Sequence, residues 1–194
     1  MPPFKRVCVY CASSDAIAPA FREAARGVGT FLATSGIQVV YGGGRVGLMG
    51  EVADAALAAG GRVYGVIPRK LEQLELGHPG LSELFIVESM HARKTLMASM
   101  SDAFIALPGG FGTLEELAEV TTWTQLGYHK KPVGLLNVGG YYDHLLAWIE
   151  HAASEGFIRP PHRGLIEHDG AIDALIDKLA SADLPDVERW MPKP

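Results

Sequence analysis

Two stretches of the chain place anion-binding backbone, cations and carboxylates within a few residues of one another. One is Pro108-Gly109-Gly110-Phe111-Gly112-Thr113-Leu114-Glu115-Glu116, the other Ser89-Met90-His91-Ala92-Arg93-Lys94. Glycines let the backbone approach an anion closely, and a helix that starts behind them offers unpaired N–H groups at the positive end of its dipole. Thr113 adds a hydroxyl, so the first stretch reads as a nest for a phosphate. Arg93 and Lys94 also open a helix, where cations oppose the dipole, and a bound anion is the simplest compensation. Arg93 would grip it with a bidentate fork and Lys94 would act as a point charge. Glu115 and Glu116 stand one turn into their helix, where acidic residues often only complement the dipole; beside a phosphate, such a carboxylate must serve a purpose or point away. A lone His91 reads as a structural residue before it reads as a base.

A second glycine loop, Tyr41-Gly42-Gly43-Gly44-Arg45-Val46-Gly47-Leu48-Met49-Gly50, satisfies G-x-G-x-x-G between a strand and a helix, and Gly43 and Gly44 are candidates to face the substrate. A dinucleotide site also wants a carboxylate at the tip of the next strand. That strand ends Val66-Ile67-Pro68-Arg69, which leaves NAD as the minority reading and a tight packing turn as its plain rival. The loop at Pro108–Thr113 is not followed by the Lys and Ser/Thr of a triphosphate-binding loop, so a monophosphate fits better there. Cys8 and Cys11 have redox spacing, but Cys8 alternates with Val7 and Val9 in a strand, and a buried structural role outweighs a catalytic one.

The elements that must position these residues are legible as short apolar runs alternating with amphipathic stretches, the pattern of repeated β-α units. Strands are expected at Lys5–Tyr10, Ile37–Tyr41, Arg62–Ile67, Leu84–Val87, Ala103–Leu107 and Pro132–Leu136, with a short seventh near Leu165. Helices are expected at Pro19–Thr34, Gly47–Ala59, Ser89–Ser101, Thr113–Leu126, Tyr141–Glu155 and Ala171–Ala180, with Gly36, Gly60 and Gly127 at helix ends. The span Pro68–Gly80 reads as a loop. In the helix after the Pro108–Thr113 nest, Leu114, Leu117, Ala118 and Thr121 form the stripe assigned to the sheet, with Glu116, Glu119, Val120 and Trp123 on another arc. The fold class is therefore α/β: one Rossmann-like domain over residues 1–183, a parallel sheet with helices on both faces, then a tail at 184–194. Ligands of such sheets sit outside the carboxyl ends of the strands, where both charged stretches fall.

At 194 residues and a net charge of -5, the chain has room for one core and no electrostatic footprint for nucleic acid. Neither a leader pattern nor a membrane-length apolar run is evident, which predicts a cytoplasmic protein without a membrane partner. Trp123, Leu126, Tyr128 and Trp148 supply more apolar surface than one sheet needs, which fits an isologous dimer.

Taken together, Pro108 to Glu116, Gly42 to Gly50, Met90-His91-x-Arg93-Lys94, Glu119 to Gly127 and Lys131-Pro132-Val133-Gly134-Leu135-Leu136-Asn137 resemble the LONELY GUY phosphoribohydrolases, often mislabelled lysine decarboxylases. The resemblance covers most of the chain and implies cleavage of the base–ribose bond of cytokinin riboside 5′-monophosphates and of AMP, without metal or organic cofactor. It implies Arg93 and Glu116 as the catalytic pair, with Lys94, Gly109, Gly110, Phe111, Gly112, Thr113 and Thr122 shaping the nucleotide site and Glu75 as a further substrate contact. It also implies a dimer or hexamer with active sites at the subunit interface. Ala92 departs from the family, which has Glu or Gln there, and leaves the Arg-Lys pair intact. Pyridoxal chemistry is set aside because Lys94 has no acidic partner in evident reach for a ring nitrogen. The rival reading is a nucleotide or molybdenum-cofactor carrier, which needs no carboxylate beside a phosphate.

Overall fold

Val7 and Val9 point to one side of the first strand, β1 (Arg6–Tyr10), and Cys8 and Tyr10 to the other; all four are buried, so this strand must be covered on both faces. The computed structural model, which describes residues 2–75 and 77–184, covers it in that way. Seven parallel strands, β1, β2 (Gln38–Tyr41), β3 (Val63–Pro68), β4 (Glu83–Val87), β5 (Ala103–Ala106), β6 (Val133–Leu136) and β7 (Ile166–Asp169), form one sheet in the order β4-β3-β2-β1-β5-β6-β7.

Helices α1 (Pro19–Thr34), α2 (Gly47–Ala58) and α7 (Ile172–Ser181) bury Leu32, Val52 and Leu175 against one face of the sheet. Helices α4 (Met90–Met100), α5 (Phe111–Leu126) and α6 (Asp143–Ser154) close the other with Met97, Leu117, Val120 and the adjoining Tyr142. Each large aliphatic side chain so buried contributes about 1.5–3 kcal/mol. Gly36, Gly60 and Gly127 end their helices at φ 73, 77 and 76°, the left-handed region expected of them.

Two expectations need correction. The span Pro68–Gly80 holds a helix, α3 (Arg69–Glu75), because Arg-Lys-Leu-Glu-Gln-Leu-Glu is a run of strong helix formers that outweighs the flanking Pro and Gly. Gly77 then returns to bridge Gly44. On α5 the face turned to the sheet is Thr113, Leu117, Val120 and Thr124, while Leu114 and Ala118 look outward. The helix begins at Phe111, two residues before the expected start, and its sheet-facing arc runs past Glu116 instead of away from it. The tail from residue 185 onward lies outside the described residues.

The order of the strands reverses between β1 and β5, whose successive partners β2 and β6 lie on opposite sides. Helices leave these two strands on opposite faces, so a crevice opens above their carboxyl ends.

Candidate active site

That crevice is a cavity of about 300 Å³, at the lower end of the range for small-molecule pockets. Its walls come from the end of β1 with Cys11, Ser13 and Ser14, from Gly42 after β2, from Met90, Arg93 and Met97 on α4, and from Gly110 to Thr113, Glu115 and Glu116 at the start of α5. The topology thus brings Arg93, Glu116 and the glycine nest, which are distant in sequence, to one opening.

Arg93 arrives there because Ser89 caps α4, its hydroxyl accepting from the Ala92 N–H at 3.1 Å. The guanidinium is buried and spends two donors on the scaffold, from Nε to the Val66 carbonyl at 3.1 Å and from Nη2 to the Gly42 carbonyl at 3.0 Å. A Cβ at Gly42 would lie 2.0 Å from Nη2, so only glycine admits the arginine at this height. This explains the first glycine of the loop better than an anion does.

Two further glycines of that loop, Gly43 and Gly47, have packing roles as well. A Cβ on Gly43 would meet Leu84 and Ile67 at 3.0 and 3.3 Å, and Gly47 lies against the backbone of Ser13 and Ser14. The first N–H groups of α2 already have acceptors: that of Gly47 donates to Asp15 Oδ1 at 3.0 Å and that of Leu48 to the Ala12 carbonyl at 2.9 Å. The helix start that offers itself to a ligand is that of α5, where Thr113 is buried and lies so close to Gly109 that a Cβ there would sit 2.1 Å from its hydroxyl oxygen.

Glu116 is the chemically distinctive group. Burial pushes its carboxyl up to about 7 against the opposing pull of Arg93, with Glu115 adding to the rise and Lys94 countering it. A carboxyl near neutrality can hold or release a proton at working pH, as a general acid or base requires. Lys94, by contrast, is turned to its neighbours: its ammonium pairs with Glu115 and, at 3.1 Å, with Glu119. Burial would lower it, but these carboxylates prevail and hold it above its usual range. The charge that opposes the dipole of α4 is therefore answered by α5, a pairing that the spacing of the two motifs did not reveal.

Phe111 is 93% exposed at the rim, while Met49 and Met97 are buried in the wall, serving core and cavity together. Cys8 and Cys11 are unpaired and buried, and burial pushes both thiols well above their usual range. His91 is exposed and outside the cavity wall. Thr122 lies on the outer side of α5 along a larger groove of about 770 Å³ shared with α6 and residues 158–168, away from Glu116. Glu75 ends α3, and its side chain lies outside the described residues. Among the described residues, no group of His, Cys, Asp and Glu gathers as a metal ion would need, and no helix is long and apolar enough to cross a membrane.

Three kinds of comparison bear on this geometry. The model of the family described as "Possible lysine decarboxylase" matches residues 49–179. The cytokinin riboside 5′-monophosphate phosphoribohydrolase LOG1 of Arabidopsis thaliana is 51% identical over 176 residues, 91% of this chain and 83% of that protein. A protein named as probably of the same kind, from Oryza sativa subsp. japonica, is 52% identical over 91% of this chain and 78% of its own length. Among solved structures, the molybdenum cofactor carrier protein of Chlamydomonas reinhardtii superposes with a TM-score of 0.68 at 23% identity, over 91% of this chain and 96% of that one. At that identity the likeness is one of fold alone.

Proposed function

We propose, from the premise that this chain belongs to the family of the cytokinin riboside 5′-monophosphate phosphoribohydrolases, that it hydrolyses the bond between base and ribose in such nucleotides and in AMP. The observation that carries the reading is Glu116, a half-buried carboxyl pushed up to about 7 in the same cavity as Arg93 and the glycine nest.

In the reaction the oxygen of a water molecule bonds to C1′ of the ribose, the C1′–N bond breaks, and its electrons leave with the base. The proton that water gives up is taken by the departing base, so the products are free base and ribose 5-phosphate. Positive charge develops on the sugar as the bond breaks. The Glu116 carboxylate stabilises that charge and relays the proton, accepting it from the attacking water and yielding it to the departing base. Arg93, with Nε and Nη2 fixed on backbone carbonyls, holds the phosphoribosyl group with its remaining edge. The N–H groups from Gly110 to Thr113 receive the 5′-phosphate. Binding at that remote group orients the sugar, which makes the phosphate a requirement for turnover and not only for affinity.

Purified protein incubated with AMP, N6-isopentenyl-AMP and their nucleosides is expected to release base and ribose 5-phosphate from the monophosphates only, followed by chromatography. Tight binding of AMP with no release would instead favour the carrier reading, for which the shared fold is the only support.

The groove outside α5 supports a second part of the proposal, a homodimer. Leu114 at 43%, Leu126 at 52%, Trp148 at 60% and Phe157 at 87% exposure leave apolar surface on and around it that one chain does not cover. A second copy on that face would bury it within one helix of Glu116, and Thr122 with it. Sedimentation velocity at micromolar concentration is expected to give twice the chain mass; the chain mass alone would rule the dimer out. The unpaired thiols fit residence in the reducing cytoplasm.

A further inference from the structure

The peptide planes of the glycine nest are set by two tyrosines from another part of the chain. After β6, the residues Val138–Gly140 form a short 3-10 turn with Gly139 and Gly140 at φ 59 and 75°. Asn137 pins this turn from both ends: its Oδ1 accepts from the Tyr142 N–H at 2.7 Å, and its Nδ2 donates to Asp143 Oδ1 at 2.7 Å. The turn delivers Tyr141 and Tyr142 side by side to the base of the nest. The Tyr142 hydroxyl donates to the Leu107 carbonyl at 2.6 Å, and the Tyr141 hydroxyl donates to the Gly109 carbonyl at 2.7 Å. The Tyr141 ring is braced edge-on against Phe21 and Tyr142, with centroids 5.6 and 5.0 Å apart.

Four successive carbonyls of this loop have donors within the protein. Leu107 and Gly109 bond to the tyrosines, Pro108 accepts from the Ala12 N–H at 3.3 Å, and Gly110 accepts from the Leu114 N–H at 3.0 Å. In a trans peptide the N–H points opposite to the carbonyl before it. Drawing the Gly109 carbonyl toward Tyr141 therefore turns the Gly110 N–H the other way. Glycine peptides rotate easily, and nothing stands within 4 Å of a Cβ built at Gly110, so packing alone does not set this plane.

We infer that Tyr141 is a positioning residue for the substrate's 5′-phosphate, acting through the Gly109–Gly110 peptide, and that Tyr142 anchors the start of the same loop. This rests on the reading of the nest as the phosphate site. Tyr141→Phe keeps the ring and its contacts and removes only the hydroxyl, so its melting temperature should stay within a few degrees of the native protein.

Titration calorimetry with ribose 5-phosphate, AMP and adenine separates the alternatives. For Tyr141→Phe the dissociation constants of ribose 5-phosphate and AMP are expected to rise roughly tenfold, the scale of one charge-assisted hydrogen bond lost or bent, with that of adenine unchanged. The KM for AMP should rise in step. Native affinity for both phosphate-bearing ligands, or an equal loss for adenine, would overturn the inference while leaving the proposed reaction standing. Failure of the unaltered protein to bind ribose 5-phosphate or AMP at all would overturn both.

Discussion

Glu116→Gln is expected to lower kcat by a factor of about 10²–10⁴ and at the same time to make the protein more stable at pH 8. The first effect follows from losing the group to which the proposed mechanism gives the proton and the developing positive charge. The second follows from linkage. The folded-state value of Glu116, about 7, lies above the ordinary value of 4.5, so the folded protein holds this proton where the unfolded chain has lost it. A carboxyl raised in this way costs stability progressively as pH rises from 4.5 toward 7, and the full cost, on the order of 3 kcal/mol, applies above that. Glutamine has no proton to lose. Thermal melts of both proteins at pH 5 and pH 8 should therefore nearly coincide at the lower pH and separate in favour of Glu116→Gln at the higher. An unchanged gap between the two conditions would mean that the carboxyl is not desolvated in the way its surroundings indicate.

The same group sets a pH profile. If the ionised carboxylate is the working form, kcat/KM rises through about pH 7 and levels off above it. A bound phosphate adds negative charge nearby and disfavours ionisation further, which places the limb in kcat at higher pH than the limb in kcat/KM. A profile that falls through neutrality would assign Glu116 the role of proton donor instead.

Arg93 carries the second large effect. Arg93→Ala is expected to lower kcat/KM for AMP at least about 100-fold, because it removes the clamp proposed for the reacting sugar and leaves the Val66 and Gly42 carbonyls without their donors. Gly42→Ala makes a sharper test, since it deletes nothing. The added methyl would need the space of Nη2, and the guanidinium must move. The variant should fold, with a stability loss of about 1–3 kcal/mol, and lose activity at least about tenfold. In both variants the acidic limb of the profile should move upward, because Arg93 is the main influence that favours the ionised Glu116. Wild-type kinetics in Gly42→Ala would show that the observed pose of Arg93 is not the one that reacts.

Much of this was present in the sequence. Alternating apolar runs and helix-ending glycines located the seven strands and six of the seven α-helices among the described residues, since period and capping are local properties. The missed helix, Arg69–Glu75, was hidden by the Pro and Gly around it although its own residues favour helix. The glycine loops and the Arg-Lys pair were also legible, because glycines before a helix and cations at its start stand out locally.

What the sequence by itself determined is the set of elements and the kinds of group at their tips: a glycine-rich helix start, an arginine and a carboxyl. What only the tertiary structure decided is which partner each group faces. Lys94 was open to a phosphate and is paired with Glu115 and Glu119. Gly42 was one glycine among several and is the one against which Arg93 lies. The helical pattern puts Glu116 on an arc away from the sheet, yet it is half-buried beside it and raised in consequence. Tyr141 and Tyr142 gave no sign of reaching a loop some 30 residues earlier. The physical reason is common to all four. Desolvation and hydrogen-bond geometry depend on contacts made across strands β1, β5 and β6, and the order in which parallel strands pair is not a local property of any segment.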